Sequence, residues 1–488
     1  MTPARRAGLG YARGMRPVLV PLGCLPLVLA CGNHKSLCDG DDPGVPGENV
    51  LVIVTDDIGV DKTAAYGEHP SPARTPNIDA LAAQGVRFRN AYASPTCSPT
   101  RASLLTGRHA SRHGIGHWIY AHDETEQLPP EELTIPELLR LAPQIWTSAL
   151  VGKWHLTGFE SDSPLTHPLD QGFDCAAGSL ANPLEAYTSG HTPRSFERWE
   201  KVIDGEATWT RRYMTSDATD EALARVEHTP EPWFMLVAYN DAHEPVHAPP
   251  GRLVTDKVNK NSSDLELYEA MVEAADTEIG RLLDGIPEDV RARTTIIYLS
   301  DNGTPMHGVE PPLTPSRCKG TVYEGGVRVP LIVAGPRVTA PGSVSDALVH
   351  VVDLLPTVAE VAGIDPALAL VEEGEHEGEP VVLDGLSLLP WVVDPDLPSA
   401  REYVFTETVL PNGRDLVRTE HDRMIRDADW KLTWIEAAGV REEHLYALLP
   451  DAWDEGEDLL EEGTLSADGE AALTRLTEAM EAQVAALE

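Results

Sequence analysis

Positive charge is what this chain has least of. Only 38 of its 488 residues are lysine or arginine, against 78 aspartates and glutamates, for a formal charge of -40. Lysine supplies just 8 of the 38. The deficit argues against nucleic-acid binding, which needs a basic footprint. It also removes long-range steering of anionic ligands. Any anion site must then be a local cluster of cations set in an acidic surface, and a lysine inside a motif is more informative than usual. No internal repeat is apparent. The content that remains is ordinary for a soluble globular protein, with 42% hydrophobic and 24% charged residues. The length allows two domains.

Long apolar runs are also lacking. The one near the N-terminus, Pro17 to Ala30 after Arg13 and Arg16, is shorter than the ~20 residues a spanning helix needs. It ends Leu27-Val28-Leu29-Ala30-Cys31-Gly32. A small residue before a cysteine at that place resembles a bacterial lipoprotein signal. The expectation is export, with residues 1–31 as signal and Cys31 lipidated, giving a periplasmic or outer-membrane-anchored lipoprotein. Met15-Arg16 offers an alternative start. Gly32–Glu48 reads as a polar tether. Once the signal cysteines Cys24 and Cys31 and the motif cysteine Cys97 are set aside, Cys38, Cys175 and Cys318 remain, with no metal spacing. One disulfide among them suits an oxidising compartment, and the sequence does not assign it.

Four apolar runs end on polar residues. Val50–Thr55 runs into Asp56-Asp57, and Ser148–Val151 into Gly152-Lys153-Trp154-His155. Trp233–Tyr239 runs into Asn240-Asp241-Ala242-His243, and Thr295–Leu299 into Ser300-Asp301-Asn302. Continuous apolar runs suit strands buried on both faces, as in parallel α/β sheets. In such sheets functional groups gather at the carboxyl ends of strands. Helical spacing covers Asn77–Gln84, stopped by Gly85, and Leu267–Ile286. The pattern predicts an α/β domain over residues 49–395, with a mostly parallel central sheet flanked by helices. After Pro395 it changes to short strands at Tyr403–Glu407, Arg423–Arg426, Lys431–Ile435 and His444–Leu448, then a helix at Ala467–Leu487. These predict a smaller C-terminal α+β subdomain, residues 396–488, with a short antiparallel sheet.

Asp56, Asp57, Asp301 and Asn302 offer four oxygen ligands at strand ends. That set suits a hard cation, calcium or magnesium, rather than zinc. The string Cys97-Ser98-Pro99-Thr100-Arg101, continuing Ala102-Ser103-Leu104-Leu105-Thr106-Gly107-Arg108, resembles the signature of the formylglycine-dependent (type I) sulfatases of the alkaline phosphatase superfamily. Further blocks resemble that family in order along the chain: Lys153 and His155 in Gly-Lys-Trp-His-Leu, His243 in Asn-Asp-Ala-His-Glu-Pro, and Lys319 in Lys-Gly-Thr-Val-Tyr-Glu-Gly-Gly. The resemblance covers about Asn49 to Val393, with an echo at Ala428–Leu432 and Glu443–Leu448. Glu324-Gly325-Gly326 reads as structural, with glycines for close backbone approach. His247, His307 and His350 also read as structural or surface groups.

The resemblance implies a sulfate ester hydrolase. A maturation enzyme would oxidise Cys97 to formylglycine, whose hydrate attacks sulfur with one hydroxyl and expels sulfate through the other. Asp56, Asp57, Asp301, Asn302 and the modified Cys97 would hold the cation. Arg101 would hydrogen-bond the hydrate, Lys153 and Lys319 neutralise sulfate oxygens, His155 act as base in regeneration, and His243 or Lys319 protonate the leaving oxygen. One departure is visible: Asp241-Ala242-His243 stands where the family often has Ala-Pro-His, placing a carboxylate able to tune His243. The substrate is expected to be an aryl or carbohydrate sulfate, met by loops carrying Trp118, Tyr120, His122, Phe159 and Tyr187. Two alternatives are weighed. A phosphonate monoester hydrolase or phosphodiesterase of the same superfamily tends to have Asp-His where Asp301-Asn302 stands. An inactive sulfated-glycan-binding lipoprotein is disfavoured because every catalytic position is filled.

Overall fold

The structure is a computed structural model that describes residues 38, 44, 47–120, 126–183, 185, 195–365, 381–414, 416–449, 454–461, 463 and 465–487. The chain divides into two compact units, Met1–Lys35 and Ser36–Glu488. The first, with the expected export signal and Cys31, lies outside the described residues.

Ten strands form one sheet: β1 (Asn49–Thr55), β2 (Gly85–Tyr92), β3 (Thr147–Lys153), β4 (Cys175–Ser179), β5 (Trp199–Ile203), β6 (Glu206–Thr210), β7 (Trp233–Ala238), β8 (Thr294–Ser300), β9 (Leu331–Ala334) and β10 (Ser343–His350). Their order is β10-β2-β9-β8-β1-β7-β3-β4-β5-β6. β8, β1, β7, β3 and β4 pair in parallel. β9 runs antiparallel between β8 and β2, and β5 runs antiparallel beside β4. Every residue of β1 is buried, and its side chains alternate between two cores. Val50, Val52 and Val54 face one cluster, Leu51 and Ile53 the other. A strand wetted on neither side has no place for polar residues, which is why the run reads as unbroken Val, Leu and Ile.

Helices cover the faces. The longest, Asp264–Gly285, starts at a capping box in which Ser263 and Glu266 satisfy each other's backbone N–H groups. It buries Met271, Ile279 and Leu282 against the helices Pro76–Gln84 and Met214–His228. Each such side chain contributes about 1.5–3 kcal/mol, so Ile279→Ala, at the sheet face, would cost about 2–5 kcal/mol.

The C-terminal region forms a four-stranded antiparallel sheet: β11 (Val404–Leu410), β12 (Glu420–Arg426), β13 (Trp430–Ala437) and β14 (Val440–Ala447). The helix Ala467–Leu487 lays Leu476 and Met480 against Phe405, Ile425, Leu432 and Leu445. Three described residues of the expected tether have partners on the domain. Cys38 forms a disulfide with Cys175 at the start of β4. Gly44 makes a bridge to Glu231, and Glu48 pairs with Arg337.

Candidate active site

The site lies where β8, β1, β7 and β3, neighbours in the sheet, all end. Asp56 and Asp57 follow β1, Asp301 and Asn302 follow β8, His243 follows β7, and Lys153 closes β3 with His155 just beyond. Two of these positions carry left-handed backbone, Asp57 at φ 64° and His155 at φ 62°. Non-glycine residues adopt that region at a cost, and such strain concentrates at functional sites. Gly303 fixes the turn after Asn302. A Cβ there would stand 1.9 Å from the Gly325 carbonyl oxygen, while the Gly303 N–H donates to the Gly326 carbonyl at 2.9 Å. The close approach expected of Glu324-Gly325-Gly326 therefore holds the Asp301-Asn302 corner in place.

Three carboxylates meet three fixed cations. Lys153 Nζ donates to Asp56 Oδ2. Lys319 Nζ lies 2.5 Å from Asp57 Oδ1. Arg101 donates to Asp301 Oδ2 from Nε at 3.0 Å and Nη2 at 2.7 Å, and to the Lys153 carbonyl from Nη1 at 2.8 Å. Its hydrogen bonds fix Asp301 and the end of β3. Asn302 Nδ2 donates to Asp57 Oδ1 at 2.8 Å, which leaves Asn302 Oδ1 buried with no partner.

Cys97 begins the helix Cys97–Thr106, where free backbone N–H groups favour an anion. Its Sγ lies 3.4 Å from Asp56 Oδ1. Ligand atoms of Asp56, Asp57, Cys97 and Asp301 all lie within 4.8 Å of one another, and so do those of Asp56, Cys97 and His243. Burial, then Asp301 and Asp56, push the Cys97 thiol well above its ordinary range. A thiol held protonated is a poor nucleophile.

His155 Nε2 lies 3.0 Å from the Ile119 carbonyl oxygen. A carbonyl only accepts, so Nε2 carries the proton and Nδ1 keeps its lone pair. That Nδ1 is buried and unpartnered. Burial, then Lys153 and Arg101, hold the ring well below the usual histidine range, so it is neutral. His243 Nδ1 faces the Glu244 carbonyl at 2.8 Å; burial, Lys319 and Lys153 bring this ring down to about 4. Burial would raise the Asp56 carboxyl, but Lys153, His243, Arg101 and Lys319 outweigh it and hold the group well below its ordinary value. Asp301 is pushed up to about 6 by burial and Asp56. Lys319, despite burial, is held above the usual lysine range by Asp57, Cys97 and Asp56.

All ten expected site residues thus converge, and some neighbours differ from expectation. The Asp241 carboxylate accepts through Oδ2 from Tyr213 Oη at 3.0 Å and Thr215 Oγ1 at 2.5 Å. Both hydroxyls bond the same oxygen, and Asp241 Oδ1 stays buried without a partner. His247 bonds Tyr213 at 3.1 Å. His350 is buried and caps Val352 N, in keeping with its structural reading. Trp118 and Tyr120 flank Ile119, whose carbonyl meets His155, whereas His122 and Tyr187 lie outside the described residues. Ser98 was not singled out in the sequence, yet its Oγ donates to the His155 carbonyl at 2.8 Å and accepts from Ile119 N at 3.0 Å. Only its place beside Cys97 hinted at a role.

The donor set fits a hard divalent cation. Three carboxylates and the orphaned amide oxygen of Asn302 are oxygens only, and an unpaired buried acceptor is costly unless something is bound to it. Comparison with known proteins agrees with this constellation. The sulfatase family profile matches residues 48–364, which include all ten site residues. Human N-acetylgalactosamine-6-sulfatase is 33% identical over 371 residues, covering 70% of this chain and 65% of that protein. Human arylsulfatase A is 30% identical over 351 residues, covering 64% of each. The chain thus spans about two thirds of the length of these curated relatives. The crystal structure of Ps i-CgsB in complex with k-i-k-neocarrahexaose superposes with a TM-score of 0.70 at 26% identity, covering 90% of this chain and 93% of that one. A shared profile over most of the chain, with the same fold beneath it, establishes descent: this chain belongs to the sulfatase family.

Proposed function

We propose that the protein is a sulfuric ester hydrolase acting on sulfate monoesters, with a carbohydrate sulfate as substrate. The observation that carries the reading is the convergence of Lys153, Lys319, His155 and His243 around Cys97, beside an oxygen-only cation site. Relatives named for N-acetylgalactosamine-6-sulfate and aryl sulfate hydrolysis support it, as does the neighbour solved with a neocarrahexaose.

Asp56, Asp57, Asp301 and Asn302 would hold calcium or magnesium, which when bound supplies a positive charge against a sulfate oxygen. Converted to formylglycine by a maturation enzyme, Cys97 would supply a pair of hydroxyls, one to attack and one to release sulfate. The chain's own groups do the rest. Lys153 and Lys319 face the remaining sulfate oxygens and offset their charge. Arg101 holds Asp301 and the end of β3 in register with the nucleophile helix. His155, locked by Ile119 as the tautomer with a bare Nδ1, accepts a proton from the group at position 97. An anionic ester offsets the two lysines that depress His243, restoring that ring's affinity for the proton it gives to the leaving alcohol. A phosphodiester would place a second ester arm where one of these cations stands, so the sulfate monoester is the preferred ligand.

The test is to produce the chain with and without the maturation enzyme and assay sulfated glycans, nitrophenyl sulfate and a nitrophenyl phosphodiester. Sulfate turnover should track the lighter aldehyde form of the Cys97 peptide in mass spectrometry. Full activity from unmodified cysteine, or higher kcat/KM on the phosphodiester than on any sulfate, would overturn the reading. Export with lipid attachment at Cys31 belongs to the same proposal, and the Cys38–Cys175 disulfide supports an oxidising destination. Labelling with a clickable fatty acid should be lost in Cys31→Ala; label that persists there sinks the anchor.

A further inference from the structure

Adjacent residues of a strand point to opposite faces. Asp56 and Asp57, side by side after β1, nonetheless bring carboxylate oxygens within 4.8 Å of each other. The chain leaves strand geometry at Asp57, where φ is 64°. That left-handed turn swings the second carboxylate back to the side of the first. A residue with a Cβ keeps this conformation only where its surroundings hold it. The Asp57 side chain is held from within the site, its Oδ1 meeting Lys319 Nζ at 2.5 Å and Asn302 Nδ2 at 2.8 Å. Its backbone N–H donates to Asp301 Oδ1 at 3.3 Å. Its carbonyl is held from outside the site, where Tyr268 Oη stands 2.7 Å away. A carbonyl only accepts, so the hydroxyl is the donor.

Tyr268 belongs to the helix Asp264–Gly285 and is fully buried, as Asp57 is. A carbonyl that lost this donor would be left unpaired in the interior, at the full cost of its desolvation. The ring is closely packed. A Cβ on Gly308 would stand 2.5 Å from its Cε1. His307, which the sequence offered only as a structural or surface group, meets the ring edge to face, with centroids 5.5 Å apart at 83°. The hydroxyl therefore sits at one fixed place behind the turn. We propose that Tyr268 is a positioning residue for the cation site: its hydroxyl fixes the left-handed turn at Asp57 and so lets two neighbouring aspartates serve one ion. This rests on the sulfatase reading and its oxygen-only cation site, and it adds to that site a residue 211 positions along the chain from Asp57.

The experiment titrates calcium by calorimetry into the matured full chain after EGTA treatment and dialysis. Tyr268→Phe keeps the ring and removes only the donor. Its calcium Kd should rise roughly 10-fold or more, the effect typical of losing a partner that orients a metal ligand. Excess calcium should restore most of its turnover of nitrophenyl sulfate, because the ion itself draws Asp57 back into place. A merely structural tyrosine behaves differently, and Tyr66 supplies the comparison. Its buried hydroxyl donates to the Leu331 carbonyl at 2.9 Å, and Leu331 is no cation ligand. Tyr66→Phe should lower the Tm and leave the calcium Kd unchanged. Gly308→Ala keeps the Tyr268 hydroxyl but presses on its ring, and should raise the Kd as Tyr268→Phe does. If Tyr268→Phe does not fold, Gly308→Ala decides in its place. An unchanged Kd in the deciding variant overturns the positioning role and leaves the sulfatase reading standing. A parent chain that binds neither calcium nor magnesium ends the cation reading itself, and this inference with it.

Discussion

Two buried clusters of opposite charges sit in this molecule, and they are built differently. One is the site at the ends of β1, β3 and β8. The other joins the large sheet to the C-terminal sheet: Glu324 accepts from Tyr92 Oη and from Lys431 Nζ, both at 2.9 Å, and Lys431 also donates to Glu455 Oε1 at 2.7 Å. In the second cluster both Glu324 oxygens are bonded, and none of these residues has left-handed backbone. Burial would raise the Glu324 carboxyl, but Lys431, Arg426 and Arg328 outweigh it and hold it at about 2. In the first, Asn302 Oδ1 and His155 Nδ1 are buried without partners, and Asp57 and His155 are left-handed. The second cluster also keeps one orphan, Glu455 Oε2, so neither paired charge nor an orphaned atom alone marks a functional site; the two together with strained backbone do. The comparison breaks if the two clusters respond alike to the same perturbation.

The largest contrast is between lysines. In calcium, Lys153→Ala or Lys319→Ala should lower kcat/KM on nitrophenyl sulfate by about 10²–10³-fold, with a smaller loss of stability because an ion remains for the carboxylates to face. Lys431→Met should do the reverse. It takes from Glu324 and Glu455 the lysine they share and should cost about 3–5 kcal/mol of unfolding free energy, while activity per folded molecule stays close to that of the parent chain. Chemical denaturation and steady-state kinetics on the same preparations decide it. Equal loss of stability in all three variants would make the site lysines structural.

Chelation comes next. Removing divalent ions with EGTA should abolish turnover and lower the Tm, and calcium at about 100 times its Kd should restore about 2.7 kcal/mol. Asn302→Leu removes the orphaned amide oxygen and should raise the calcium concentration needed for half-restoration of the Tm. Stoichiometric zinc in the active protein would refute the oxygen-donor assignment. No such response is expected from the Glu324 cluster, whose carboxylates already have cations.

How much of this was legible in the sequence follows from which forces are local. The Val50–Thr55 run reads as a doubly buried strand because every residue must face a core. Its two terminal aspartates stand out for the same reason. The meander and the helix Ala467–Leu487 also emerge from period alone. Facts that depend on distant partners did not emerge. Nothing near Asp57 or His155 announces positive φ. Asp241 was expected beside its sequence neighbour His243, yet Tyr213 and Thr215, far back in the chain, capture it. Cys38 and Cys175 pair across 137 residues. Lys431 was noticed as a motif echo, but its partner Glu324 lies 107 residues back, in the short helix Glu324–Val327.

The smallest predicted effect tests the second cluster's remaining flaw. Glu455 shares Lys431 with Glu324 and keeps Oε2 buried without a partner. Burial pushes its carboxyl up to about 7, with Glu324 adding to the rise and Lys431 opposing it. The usual glutamate value is about 4.3, so the folded protein binds this proton more tightly than the unfolded chain. The resulting stability is complete below the ordinary glutamate range and is lost as pH rises through about 7. Glu455→Gln stays neutral at every pH and keeps what the parent chain loses. The Tm of the variant minus that of the parent should therefore grow more positive between pH 5 and pH 8, by a few degrees at most. Activity sets no trend here, because the cluster lies outside the site. A difference that stays flat across that range would mean that Lys431 keeps Glu455 ionised in the fold, making this cluster as fully paired as Glu324 alone suggests.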